Sequence, residues 1–179
     1  MRIAIARFLM AGAAWSQDLC SDVAAIDKFA KELTMASYTK PQLRYEVGED
    51  ELSQWHGVRK WEDENADKAL VYAAKTELPL KVGMLFNSES GDWVQEIEFY
   101  FRADGSLAKR YENLRTFYGN VTAHRYTWFD CNGKELKSER KFFELGAKKR
   151  TTPDGDFQDE PFPPYKRLKD LPFYSLLPH

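Results

Sequence analysis

The strongest constraint on the fold is a series of short alternating segments, broken by turn dipeptides, between residues 42 and 145. In Glu96-Ile97-Glu98-Phe99 and Arg125-Tyr126-Thr127-Trp128, polar and apolar side chains alternate. A period of two sends successive side chains to opposite faces of a strand. Asp104-Gly105 and Asn132-Gly133 punctuate these runs, and both residue types tolerate the positive φ that tight hairpins need. Strands are expected near 43–48, 54–62, 69–76, 80–87, 92–102, 106–117, 120–130 and 134–145. The connections in the second half are Ser88-Glu89-Ser90-Gly91, Ala103-Asp104-Gly105, Tyr118-Gly119 and Cys131-Asn132-Gly133. The expected class is α+β and mainly β: an N-terminal helix on an antiparallel meander of about 6–8 strands, followed by a Pro-rich extended tail.

Cross-strand charge pairing offers a test of register. Three-residue loops set Glu98 against Arg110, Asp130 against Lys134 and Arg125 against Glu139. Two-residue loops set Arg125 against Arg140 instead. Opposite charges favour the first choice. That register places Trp93, Ile97, Phe99, Phe101, Leu107 and Tyr111 on an apolar face, with Glu96, Glu98, Arg102, Arg110 and Glu112 on a wet one. In the second hairpin Thr122, Tyr126, Trp128, Leu136 and Phe142 share the apolar side.

Residues 18–36 read as one amphipathic helix, since Val23, Ile26, Phe29, Ala30 and Leu33 recur at spacings of three and four. Asp18 or Ser21 is the expected cap, and Asp27 can pair with Lys31 on the outer side. This helix is the expected cover for the apolar face. From 146 to 179 the character changes: six of the eight prolines lie there, among charges and scattered aromatic residues. Such a segment reads as a tail or strap, with a disordered end as the alternative.

The first residues carry Arg2 and Arg7, then the apolar run Phe8-Leu9-Met10-Ala11-Gly12-Ala13-Ala14, then small residues around Ser16. That order predicts a secretory signal over 1–16, cleaved after Ser16 or, second, after Ala13, and a periplasmic or secreted location. A retained helical N-terminus is the alternative. The domain proper then runs from 17 to 145. In an oxidising compartment Cys20 and Cys131 form a disulfide candidate, joining the helix to a hairpin tip; two free thiols remain the other option.

Net charge is −2, so no excess of basic charge points to nucleic acid, and Lys148-Lys149-Arg150 reads as a solvated turn. No later stretch is apolar for the length of a membrane helix. No phosphate-binding glycine loop, zinc spacing or nucleophile elbow occurs, so no catalytic residue, metal or cofactor is expected. His124 reads as a semi-buried histidine. The consecutive acids Glu49-Asp50-Glu51 and Glu62-Asp63-Glu64 read as solvated loops.

What stands out is aromatic supply, at 15% of residues, including Trp55, Trp61, Tyr72, Trp93, Tyr100, Tyr126 and Trp128. Rings with a polar handle suit sugar stacking, peptide grooves and apolar pockets. Trp93, Tyr100, Tyr126 and Trp128 are the candidate ligand-binding residues, with Tyr100 expected on the wet face. Tyr100-Phe101-Arg102-Ala103-Asp104-Gly105 also matches Trp128-Phe129-Asp130-Cys131-Asn132-Gly133 at an offset of 28 residues. This pair resembles the aromatic-rich strand–turn–strand repeats of bacterial secreted and toxin-associated proteins, a resemblance that implies hairpins and no activity. The leading expectation is an exported, non-catalytic β-sheet protein binding a protein or glycan. The alternatives are a periplasmic carrier of a lipid-like molecule, since a helix on a curved meander resembles the periplasmic lipoprotein carriers, and a carboxylate-dependent hydrolase.

Overall fold

A computed structural model describes residues 18–37, 42–47, 54–61, 66–73, 79–155, 157, 162 and 165–177. The proposed signal segment, 1–16, lies outside the described residues. Helix α1 spans Val23–Ser37. Eight strands follow: β1 Gln42–Val47, β2 Trp55–Val58, β3 Lys68–Ala73, β4 Pro79–Asn87, β5 Trp93–Phe101, β6 Leu107–Thr116, β7 Val121–Phe129 and β8 Glu135–Glu144. All pairs are antiparallel, in the spatial order β2-β1-β3-β4-β5-β6-β7-β8. From β3 onward this is an unbroken meander, as the regular turn signals implied.

The two central hairpins share one design. Arg102 and Ser106 close a three-residue loop, as do Asp130 and Lys134, each through a backbone bond of 2.8–2.9 Å. Gly105 and Gly133 both sit at φ 78°, where a Cβ would be strained. In each hairpin a bulge then follows: Ala108 in β6 and Leu136 in β8 are the extra residues. These positions are equivalent in the 28-residue repeat.

The bulges overturn the register expected from charge. Asp130 does oppose Lys134, but past the bulge Glu98 faces Tyr111, not Arg110, and Arg125 faces Arg140, not Glu139. One inserted residue moves every later side chain of that strand to the other face. Thus Arg110 and Glu112 join Ile97 and Phe99, while Tyr111 joins Glu96 and Glu98. Arg102, Arg110 and Glu112, expected to be wet, are buried. Glu98 takes its cation from β4 instead, with Lys81 Nζ at 2.7 Å.

Both faces of the sheet are covered, so the expected division into one apolar and one wet face is also corrected. On the first, Val71, Val82, Ile97, Phe99, Phe101 and Leu107 pack against Leu168, Leu171, Phe173 and Leu177 of the C-terminal segment. Phe173 stacks on Tyr45 at 5.1 Å between ring centres. The segment is pinned by Leu107 N to Lys166 O (2.9 Å) and Leu168 N to Gly105 O (2.8 Å). We call this the strap face. Full burial of a ring such as Phe173 contributes about 2–3 kcal/mol.

Helix α1 covers part of the other face, the helix face, where Ile26 packs with Ala108 and Trp128. It is therefore not the lid of the larger apolar face. Its cap is Asp22, whose Oδ1 accepts from Ala24 N at 2.8 Å, in place of Asp18 or Ser21. Asp27 does not spend its charge on Lys31. Its Oδ1 accepts from Lys109 Nζ (2.6 Å) and Trp128 Nε1 (2.7 Å), tying α1 to β6 and β7. Just before the helix, Cys20 is bonded to Cys131 at the tip of the β7–β8 hairpin, with Cα atoms 4.8 Å apart.

Candidate functional site

Strand alternation and the two bulges decide which side chains can meet a ligand. The four residues singled out by sequence do not converge. Trp128 is 4% exposed and its indole N–H is bonded to Asp27. Tyr100 lies on the helix face but is only 5% exposed, because α1 lies over it. The Tyr100 hydroxyl donates to Glu98 Oε2 and sits 3.1 Å from Thr34 Oγ1. Burial, with the Glu98 charge beside it, pushes the Tyr100 phenol well above its ordinary range, so it stays protonated. Tyr126 stacks between Tyr111 (4.9 Å) and Trp128 (6.2 Å). Trp93, expected among the core rings, is 37% exposed near the β4–β5 turn, away from the others.

The part of the helix face that α1 leaves open forms a hollow of about 340 Å³. Its rings are Trp61, Tyr72 and Tyr111, and its carboxylates are Glu96 and Glu98. Register explains the gathering: Leu70, Gly83, Glu98 and Tyr111 form one row across β3 to β6, and Gly83 leaves the floor low. Glu96 accepts from Asn113 Nδ2 (2.9 Å) and from Arg115 Nη2 (3.1 Å). Glu98 is held by Lys81 and Tyr100. Behind them the Tyr111 hydroxyl and His124 Nδ1 are 2.8 Å apart. Burial, then the charge of Lys141, moves His124 below its ordinary value, while burial moves Tyr111 up. The imidazole is therefore neutral, and its tautomer sets which of the two groups donates. That bond fixes the Tyr111 ring as a wall of the hollow.

A larger, open groove of about 770 Å³ lies on the strap face beside the C-terminal segment. Arg110, Arg125 and Arg140 come from three successive strands, and Lys134 and Lys166 stand at the rim. Among the described residues that line it, Glu135 is the acid. Arg110 has a second task at the groove's inner end. Its Nη1 donates to Phe162 O at 2.9 Å, and its Nε makes an ion-pair contact of 2.8 Å with Glu112 Oε1, without hydrogen-bond alignment. Glu112 in turn accepts from Phe162 N at 3.2 Å. The pair thus satisfies both backbone groups of Phe162, whose ring packs on Phe86 at 4.7 Å.

Sequence reasoning counted Trp61 and Tyr72 in the aromatic supply without bringing them together, and it missed the arginine groove. The usable signal for the hollow was parity: Leu70 and Tyr72, and Glu96 and Glu98, each share a face of a strand. His56 stands 3.8 Å from Glu46 on the β1–β2 pair, apart from both hollows. The acid runs at 49–51 and 62–64 lie outside the described residues. Among the described residues no cluster of His, Cys, Asp and Glu is arranged to hold a metal, and no helix is long and apolar enough to cross a membrane. Comparison with known proteins returns no match, whether to a family model, a curated protein or a solved structure.

Proposed function

We propose that this chain is an exported, non-catalytic binding domain that takes an uncharged oligosaccharide on its helix face. The observation that carries the reading is the convergence of Trp61, Tyr72 and Tyr111 with Glu96 and Glu98 on one hollow. Aromatic faces stack on the C–H faces of sugar rings, and fixed carboxylates accept from sugar hydroxyls. The volume, about 340 Å³, is in the range of small-ligand sites. Preorganisation is built in: each carboxylate is already held by a cation and a neutral donor, so little side-chain freedom is lost on binding.

The same details weigh against the other two functions. A carrier of lipid-like molecules needs an uncharged apolar cavity, and both the hollow and the groove are lined by charged side chains. A hydrolase needs a carboxyl group free to pass a proton, whereas Glu96 and Glu98 are bound into the sheet by ion pairs. The test is titration of the protein with a panel of neutral oligosaccharides, followed by tryptophan fluorescence. Saturable binding that falls about tenfold in W61A supports the reading, since one aromatic contact is worth roughly 1 kcal/mol. Absence of saturable binding across the panel, or binding by W61A and Y111A as tight as that of the wild type, overturns it.

A further inference from the structure

The twin hairpins match at an offset of 28 residues, yet their tips treat one position differently. Asp104 and Asn132 are the equivalent residues, and each precedes a glycine at φ 78°. The Asp104 carboxylate is engaged inside its own loop, where Oδ1 accepts from Ser106 N at 2.9 Å and from Ser106 Oγ at 2.7 Å. In the second tip Asp130 takes that part. Its Oδ1 accepts from Asn132 N and from Lys134 N, both at 2.8 Å. The Asn132 side chain is thereby left over. It is exposed, and its carboxamide has no bonding partner among the described residues.

From this contrast we infer that Asn132 is a site of spontaneous covalent modification, through a cyclic imide formed with Gly133. A carboxamide is attacked by the backbone nitrogen that follows it. Glycine leaves that nitrogen least shielded, because it has no Cβ. A β-branched successor, such as Val121 after Asn120, crowds it. Hydroxide removes the proton from Gly133 N, this nitrogen bonds to Asn132 Cγ, and the Cγ–Nδ2 bond breaks as ammonia leaves with a proton from water. Water then opens the ring. Opening at Cγ gives aspartate, and opening at the backbone carbonyl gives isoaspartate, whose main chain is one bond longer. In the closed tip Gly133 N–H donates to Asp130 O at 3.1 Å. Ring closure therefore takes place when the loop opens, and exposed hairpin tips open more readily than cores. Both products place a carboxylate where the carboxamide stood. Asn132 lines the strap-face groove together with Lys134 and Lys166, so a neutral rim position becomes acidic beside two ammonium groups. This chemistry is independent of the ligand proposed for the helix face.

The test uses the full, oxidised chain, freshly purified and held for days at mildly alkaline pH and body temperature. Peptide mass spectrometry follows each asparagine, with electron-transfer fragmentation to tell aspartate from isoaspartate. Asn132 is expected to gain one mass unit at least about tenfold faster than Asn113 or Asn120, with isoaspartate the larger product. D104N supplies the comparison within one molecule, since it sets an Asn-Gly pair in the twin tip, where the carboxamide oxygen keeps the Ser106 bonds. Position 104 of that variant is expected to convert about fivefold more slowly than Asn132, because those bonds must break first. Conversion of Asn132 no faster than that of Asn113 and Asn120 overturns the assignment. Equal rates at positions 104 and 132 of D104N, with the thermal melt of the wild type, overturn it as well.

Discussion

Arg102 shows how one side chain can join three parts of a chain. It is 5% exposed, yet its guanidinium is surrounded by carbonyls rather than by a carboxylate. Nε and Nη2 donate to Leu19 O before α1. Nη1 donates to Leu107 O (2.7 Å) in its own hairpin, and Nη2 to Phe129 O in the next. A planar fork of five donors suits this task, and an ammonium group does not. R102A leaves several buried carbonyls without donors, at about 1–3 kcal/mol for each group. We expect urea denaturation to show R102A destabilised by about 3 kcal/mol or more, with R102K recovering only a minor part. A variant within about 0.5 kcal/mol of wild type would refute the role, since that is the scale of an ordinary surface substitution. Nothing in the sequence marked Arg102 as central. Its importance depends on Leu19 and Phe129, which lie far from it along the chain.

The paired hairpins carry the lesson about what can be read from sequence. Their existence and positions were legible, because Asp104-Gly105 and Asn132-Gly133 state the turn in local chemistry. Their register beyond the turn was not. The bulges at Ala108 and Leu136 come from backbone geometry that no single residue announces, and each reverses the facing of all that follows. The charge argument failed for a related reason: Glu98 is satisfied by Lys81 on the preceding strand, and Arg125 and Arg140 are placed against each other. The arginine groove was illegible on the same account, since Arg110 and Arg140 both lie beyond a bulge, and so was the place of Tyr111 in the hollow, whereas parity alone already put Glu96 and Glu98 on one face of β5. The two bulge residues also face different surroundings. Ala108 is fully buried beneath α1, whereas Leu136 is 37% exposed. A108L is expected to cost about 1–3 kcal/mol through overpacking against Ile26, while L136A stays within about 0.5 kcal/mol of wild type. Thermal melts of the two variants test this, and equal effects would refute the assignment of distinct environments.

At the scale of the molecule, a ladder of local pairings is closed by segments from its two ends on opposite faces. The N-terminal closure is covalent, through Cys20–Cys131, across a sequence separation of 111 residues. Constraining a loop of that length in the unfolded chain stabilises the fold by about 4–5 kcal/mol in the chain-entropy account. C20S/C131S is therefore expected to melt at a clearly lower temperature than the oxidised protein, with the two becoming alike once reductant is added. Identical melting before reduction would refute this. The C-terminal closure has no such bond. Leu168, Leu171, Phe173 and Leu177 hold the strap face by packing and by a few backbone bonds to the β5–β6 hairpin. A chain growing from its N-terminus thus completes all eight strands while the rings of Phe99 and Phe101 still face solvent. The interval before residues 165–177 arrive is when the molecule is most exposed to self-association, and a premature stop near residue 160 would make that interval permanent.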